Sequence, residues 1–298
     1  MRIAVVATGE MGGGIAARLK ARGAEVFTSL AGRSKASLAR AEAAGVTVVD
    51  DDAALIGSVE IFLSVVPPDR ARALAERFAP ALSRAGAKIL YADCNAVAPE
   101  TVRAIAKTVA ATGAAFADAG IIGGPPKGND AGPRLYASGE GAARLAGLTR
   151  FGLDVRPMEG GIGAASALKL SYAALTKGFT ALGVASGQAA MASPMANAVT
   201  ASLRAELAES QPELFAFLAR GIPRMYPKAY RFVGEMEEIA RFLGPAGAAQ
   251  MFLGAAAAYE EVAAAWADGG AAAPLTSGLA AVFDSASPGP ARTKEHAA

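Results

Sequence analysis

The sequence predicts an α/β domain built on a doubly wound, mainly parallel sheet, followed by an all-helical domain. Three observations carry this. Over residues 1–158 short β-like runs alternate with helical ones, the pattern of a parallel sheet covered on both faces. Beyond Pro157 nothing resembles a strand, and Ala-rich helical runs continue to about Phe283. The length, 298 residues with 53% hydrophobic, exceeds one typical core and suits two.

IAVV (3–6) reads as the first strand. A helix follows to about Ala21 and stops at Gly23, a residue suited to a helix C-terminus. EVFTS (25–29), VTVV (46–49), VEIFLSVV (59–66), KILYAD (88–93), AAFAD (114–118), RLYAS (134–138) and LDVRPM (153–158) supply seven further strands. DRARALAERFAPAL (69–82) and PETVRAIAKTVAAT (99–112) are helical between them. GGIG (160–163) reads as a hinge, which sets the expected domains at 1–158 and 159–285. The polar, proline-bearing stretch 286–298 is expected to be a disordered tail. Gly178 to Leu203 is poor in charge, but Ser186, Gln188, Asn197 and Thr200 interrupt it, so it reads as buried helix rather than a membrane span.

Composition excludes much chemistry. The net charge is +2 with no basic run, which gives no reason to expect nucleic acid. The one cysteine, Cys94, permits no disulfide within the chain and suits the cytoplasm. The one histidine, His296, lies two residues from the C-terminus. A Ser-His-Asp triad, a histidine general base and a histidine zinc site are therefore all implausible. The N-terminus, MRIAVVATGEMGGG, has too short an apolar run for a signal peptide.

VVATGEMGGGIAARL (5–19) lies between the first strand and the first helix. A dinucleotide-binding turn reads G-x-G-x-x-G at this place; here it is Ala7-x-Gly9-x-x-Gly12. Gly9 lets the backbone approach a pyrophosphate, Gly12 lets the helix pack closely, and the helix N-terminus offers free N–H groups. Glu10 and Met11 complete the turn. The expected fold is thus Rossmann-type. An NAD site usually carries an acid at the end of the second strand. Here Glu25 begins that strand, and AGRSKAS (31–37) follows it. Arg33, Ser34 and Lys35 suit a 2′-phosphate, which favours NADP over NAD.

These segments resemble the β-hydroxyacid dehydrogenase superfamily, that of 3-hydroxyisobutyrate and 6-phosphogluconate dehydrogenases. The Gly9-x-Met11-Gly12 turn is similar to that family's fingerprint. VVPP (65–68) resembles its cofactor-lining segment and implies contacts from Val66 and Pro67. DCNAVAPET (93–101) resembles its D-x-S-T-x-x-P segment and implies Asn95 near the nicotinamide. DAGIIGGPPKG (118–128) resembles its substrate motif, which implies substrate contacts from Ile122, Gly123 and Gly124. GIGAASALKLSYAALTKG (161–178) resembles its catalytic helix and puts Lys169 at the catalytic lysine. RFVGEMEEIARFL (231–243) points to a divergent phosphogluconate-dehydrogenase-like branch. The chain departs from the pattern in three respects: Gly120 replaces a proline, Ile122 replaces a serine, and the expected asparagine is missing, with Tyr172 and Ala173 in its place. The resemblance also implies a homodimer built by the helical domain.

Lys169 and Lys177 are the only charged residues from Ala164 to Arg204's neighbour Leu203. Bare burial of an ammonium costs several kcal/mol or neutralises it, so each needs water, a partner or a role. Hydride transfer at a carbon bearing oxygen needs a proton moved at that oxygen. Lys169 is the available acid/base; the rival reading is a lysine whose head reaches water. Lys177 lies about 80° further round the helix. It either holds a substrate carboxylate or pairs with a buried acid such as Glu235. Tyr172, one turn from Lys169, orients the substrate or packs. The expected activity is NADP-dependent interconversion of a small hydroxy acid and its aldehyde or keto acid. Imine reduction and a non-catalytic NADP-binding sensor remain the alternatives.

Overall fold

The computed structural model describes residues 1–29, 35–245 and 247–284. The chain divides into two compact units, Met1–Tyr172 and Ala173–Ala298, and the boundary falls inside one long helix. The residues expected to form a disordered tail lie outside the described residues, as do Arg33 and Ser34.

The first unit runs β1 (Arg2–Val6), α1 (Glu10–Ala21), β2 (Glu25–Ser29), α2 (Lys35–Ala43), β3 (Thr47–Val49), α3 (Asp52–Ser58), β4 (Ile61–Ser64) and α4 (Pro68–Ala85). It continues β5 (Leu90–Asp93), α5 (Pro99–Ala110), β6 (Ala115–Ile122), β7 (Arg134–Ser138), α6 (Ala142–Ala146) and β8 (Asp154–Pro157). The strands form one sheet in the order β3-β2-β1-β4-β5-β6-β7-β8. The first six are parallel; β7 is antiparallel to β6, and β8 is parallel to β7. All eight expected strands are present.

Side-chain alternation sorts the core into two layers. Ile3, Val5, Leu63, Ala92, Ala117, Ala119, Ile121 and Leu135 pack with Ile15 and Leu19 of α1 on one face. Phe62, Tyr91 and Phe116 stack across the other face, centroids 4.9 and 6.0 Å apart. They meet Leu74 and Phe78 of α4 and Val102 and Ile105 of α5, which recur at helical spacing. The strand β6 extends to Ile122, four residues past the end expected from sequence. Its antiparallel pairing with β7, Ile122 opposite Arg134, supplies the extra hydrogen bonds.

The long helix α7 (Ala164–Ala192) enters the second unit, which contains α8 (Ala196–Ser210), α9 (Pro212–Met225), α10 (Ala229–Leu243), α11 (Gly247–Gly269) and α12 (Pro274–Val282). Ile222, Met236, Ile239, Tyr259, Val262 and Leu279 are buried there. The Tyr226 hydroxyl donates to the carbonyl of Thr276 at 3.0 Å. The segment 178–203 is not the wholly buried helix its composition suggests. It is broken at Pro194, α8 buries none of its residues, and Phe179 and Leu182 face outward. No described helix is long and apolar enough to cross a membrane.

Candidate functional site

The turn from β1 to α1 has the form a dinucleotide requires. A Cβ at Gly12 would fall on the carbonyl oxygen of Ala7, so only glycine lets the helix start there. Gly9 caps the helix without a side-chain hydrogen bond, and the space over it is open. A helix N-terminus with no Cβ over it fits a pyrophosphate. Glu10 is exposed and Met11 half-buried at its rim. Arg40 of α2 donates from Nε to the carbonyl of Thr8 at 2.8 Å, placing a guanidinium beside this turn. No motif in the sequence singles out Arg40.

A second loop lies over α1. Gly14 meets Pro126, whose Cδ would stand 3.0 Å from an added Cβ. The nearly buried Arg18 donates to Asp130 at 2.8 Å and to the carbonyls of Gly128 and Gly152 at 3.1 and 3.3 Å. The segment after Gly123 and Gly124 is thereby tied to α1. Gly123 has φ +123°, a conformation that favours glycine, and both glycines are exposed. Ile122, at the end of β6, is buried.

At the carboxyl edge of the sheet a polar row crosses four strands. Ser64, Asp93, Asp118 and Ser138 are register partners, and all four are fully buried. Asn95 organises one end. Its Nδ2 donates to Ser64 Oγ at 2.8 Å and Asp93 Oδ2 at 2.9 Å, while its Oδ1 accepts from the Val66 amide at 2.7 Å. Asn95 therefore fixes the VVPP segment, in which Val66 is half-buried and Pro67 exposed. Burial pushes the Asp93 carboxyl up to about 7; Asn95 opposes the shift and Asp118 adds to it. Burial also pushes the Cys94 thiol well up, which makes it a poor nucleophile.

Asp118 organises the other end. Its Oδ2 accepts from Ser138 Oγ at 3.1 Å and from the amides of Gly163 and Ser166 at 2.8 and 3.1 Å. Its Oδ1 accepts from Ser166 Oγ at 2.7 Å, and Ser138 Oγ accepts from the Ala165 amide at 3.0 Å. Two strands thus cap the first turn of α7, whose amides lack partners within the helix. The contact is close because residue 120 is glycine. A Cβ there would stand 2.7 Å from the carbonyl oxygen of Ala165 and 2.9 Å from Lys169 Cβ.

The two lysines of α7 differ. Lys177 forms an ion pair with Glu235, both side chains about one-sixth exposed (16% and 15%), and its Nζ lies 3.8 Å from the centroid of the Phe232 ring. Of the two readings open for Lys177, the structure shows the pairing with a buried acid. Lys169 is half-buried, and its ammonium makes no hydrogen bond or ion pair with any described residue. Tyr172, one turn on, is exposed.

Residues 2–146 match the NAD binding domain of 6-phosphogluconate dehydrogenase. The match takes in the sheet from β1 to β7 and the glycine turn, and spans just under half of the chain. Residues 196–262, in the helical unit, match a domain of unknown function, DUF1932. An uncharacterized 28.5 kDa protein of Methanothermus fervidus is 29% identical over 182 residues, 61% of this chain and 68% of that protein. The solved structure of MTH1747, a conserved protein of unknown function described as similar to 3-hydroxyacid dehydrogenases, is 29% identical. It covers 88% of this chain and 96% of its own, with a TM-score of 0.62. The 3-hydroxyisobutyrate dehydrogenase of Mycobacterium tuberculosis shares the fold at 16% identity, 94% and 98% coverage and a TM-score of 0.66. Residues 2–146 are thus similar to the cofactor-binding part of NAD(P)-dependent dehydrogenases.

Proposed function

We propose that this protein is an NADP-dependent oxidoreductase that interconverts a small hydroxy acid and its aldehyde or keto acid, with Lys169 as general acid/base. The observation that carries the reading is the contrast within α7. Lys177 has an internal partner, whereas Lys169, backed onto Gly120 beside the substrate motif, has none among the described residues. A half-buried, unpaired ammonium suits proton transfer to a substrate oxygen.

A bound nicotinamide supplies or accepts the hydride. Gly9 to Gly12 would hold its pyrophosphate, Val66 and Pro67 would line it, and Asn95 would set their backbone. Ile122, Gly123, Gly124 and Tyr172 would face the substrate. The absence of an acid after β2, with Arg33 and Ser34 in the sequence beyond it, supports NADP over NAD. The helical unit would join a second copy of the chain.

The test uses hydroxy acids with NADP, and keto acids, aldehydes and imines with NADPH. Lys169→Met retains the apolar stem and cannot carry a proton. Turnover is expected to fall ~10²–10⁴-fold with NADPH affinity unchanged. Turnover within threefold of the parent would remove Lys169 from the role. Turnover of imines alone would favour C=N reduction. Arg33→Asp is expected to weaken NADPH roughly 10- to 100-fold and NADH far less, since a charge-assisted hydrogen bond contributes about 1.5–3 kcal/mol. Equal losses would remove the NADP preference.

A further inference from the structure

A small hydroxy or keto acid presents a carboxylate as well as a reacting oxygen, and a site that binds it needs a donor for each. Lys169 serves one oxygen in the reading above, on which this inference rests. The β6 positions on Lys169's side of the sheet are Gly120 and Ile122, and neither has a polar side chain. The neighbouring strand does. Register sets Tyr136 of β7 opposite Gly120 and Arg134 opposite Ile122. Leu135 and Ala137 enter the core layer with Ala119 and Ile121, so Tyr136 belongs to the opposite face. That is the face on which α7 docks, since Ser138, two residues on, accepts from the Ala165 amide. Gly120 therefore separates Tyr136's position on its strand from Lys169 without a side chain of its own.

The hydrogen bonding of Tyr136 leaves its proton available. Its oxygen accepts a long bond, 3.5 Å, from Arg156 Nη1 of β8. Arg156 is held in place by Asp154, with Nε to Oδ1 at 2.9 Å and Nη2 to Oδ2 at 2.7 Å. The phenol donates to no described residue and is half-buried. Two arginines, Arg134 and Arg156, surround the single carboxylate of Asp154, so the patch carries net positive charge. A phenol with a free proton, set in a positive patch one strand from the Gly120 that backs Lys169, suits an anionic oxygen.

We propose that Tyr136 binds the substrate's carboxylate, donating its phenolic hydrogen to it, with Arg156 holding the ring oxygen in place. The substrate class is then a carboxylate-bearing one, and Tyr136 is a specificity-determining residue.

The experiment compares the parent, Tyr136→Phe and Lys169→Met on the same substrate panel, with each acid paired to its neutral methyl ester. Tyr136→Phe keeps the ring and removes the donor. KM for the acid is expected to rise roughly 10- to 100-fold, with KM for the ester within twofold of the parent and NADPH affinity unchanged. If Tyr136→Phe is unstable by melting temperature, Arg156→Met, at an exposed position, is expected to raise KM for the acid alone by threefold or more. A parent that turns over an acid while the variant keeps its KM within twofold overturns this inference and leaves the proposed function standing. Equal losses on acid and ester also overturn it. A parent inactive across the whole panel overturns the proposed function, and this inference with it.

Discussion

Asp93 is a carboxylic acid with no exposed surface, beside a second buried acid on the next strand. Burial pushes its carboxyl up to about 7. Between roughly pH 4, where an unfolded aspartate titrates, and about 7, the folded chain holds a proton that the unfolded chain has lost. Stability from this group is therefore full below about pH 4 and declines as pH rises through that window. Asp93→Asn cannot titrate and sets an amide against the two donors of Asn95. The parent is expected to melt higher at pH 4.5, by a margin that shrinks toward pH 7.5. Thermal unfolding of both proteins across that range checks it, and a margin independent of pH would mean that Asp93 is ionised throughout.

The element that matters most to the site is the first turn of α7, because Lys169 follows it in the second turn and it is capped from β6 and β7. Asp118 accepts four hydrogen bonds there, and an amide has only one acceptor atom. Asp118→Asn is expected to cost about 2–4 kcal/mol, since each unsatisfied buried donor costs about 1–3 kcal/mol. Amide hydrogen exchange should quicken at residues 164–169 and turnover should fall, while NADPH affinity stays within a few-fold. Unchanged exchange there would show that the cap does not hold the turn. The sequence made much of this architecture legible. The apolar runs of β4 and β5 read as buried strands, and the unusual glycines of α1 and the charge-poor helix around Lys169 stood out. The pairing that lengthens β6 was not legible, because it depends on β7 some fifteen residues away. Tyr136 was missed for the same reason. Within RLYAS it reads as one alternating strand residue, and only the register against Gly120 brings it next to α7. Lys177 was ambiguous because its partner, Glu235, lies 58 residues on.

At the scale of the whole molecule the open question is what the outer face of α7 meets. Leu175, Phe179 and Leu182 recur at spacings of four and three, so they lie on one side of the helix, and they are 64%, 46% and 57% exposed. The neighbouring α8 buries none of its residues. Covering a leucine or phenylalanine side chain contributes about 1.5–3 kcal/mol, so a stripe of three would drive association appreciably. The proposed occupant is a second copy of this chain. Light scattering should then give the parent the mass of two chains. Leu182→Glu places a carboxylate in the middle of that seam, where it would have to shed water without a partner. The variant is expected to run as one chain, with the first unit still binding NADPH, because the substitution lies outside Met1–Tyr172. Leu182→Met keeps the volume and is expected to retain the mass of two chains. A parent with the mass of one chain, or a Leu182→Glu variant with the mass of two, would show that this face of α7 does not join two copies.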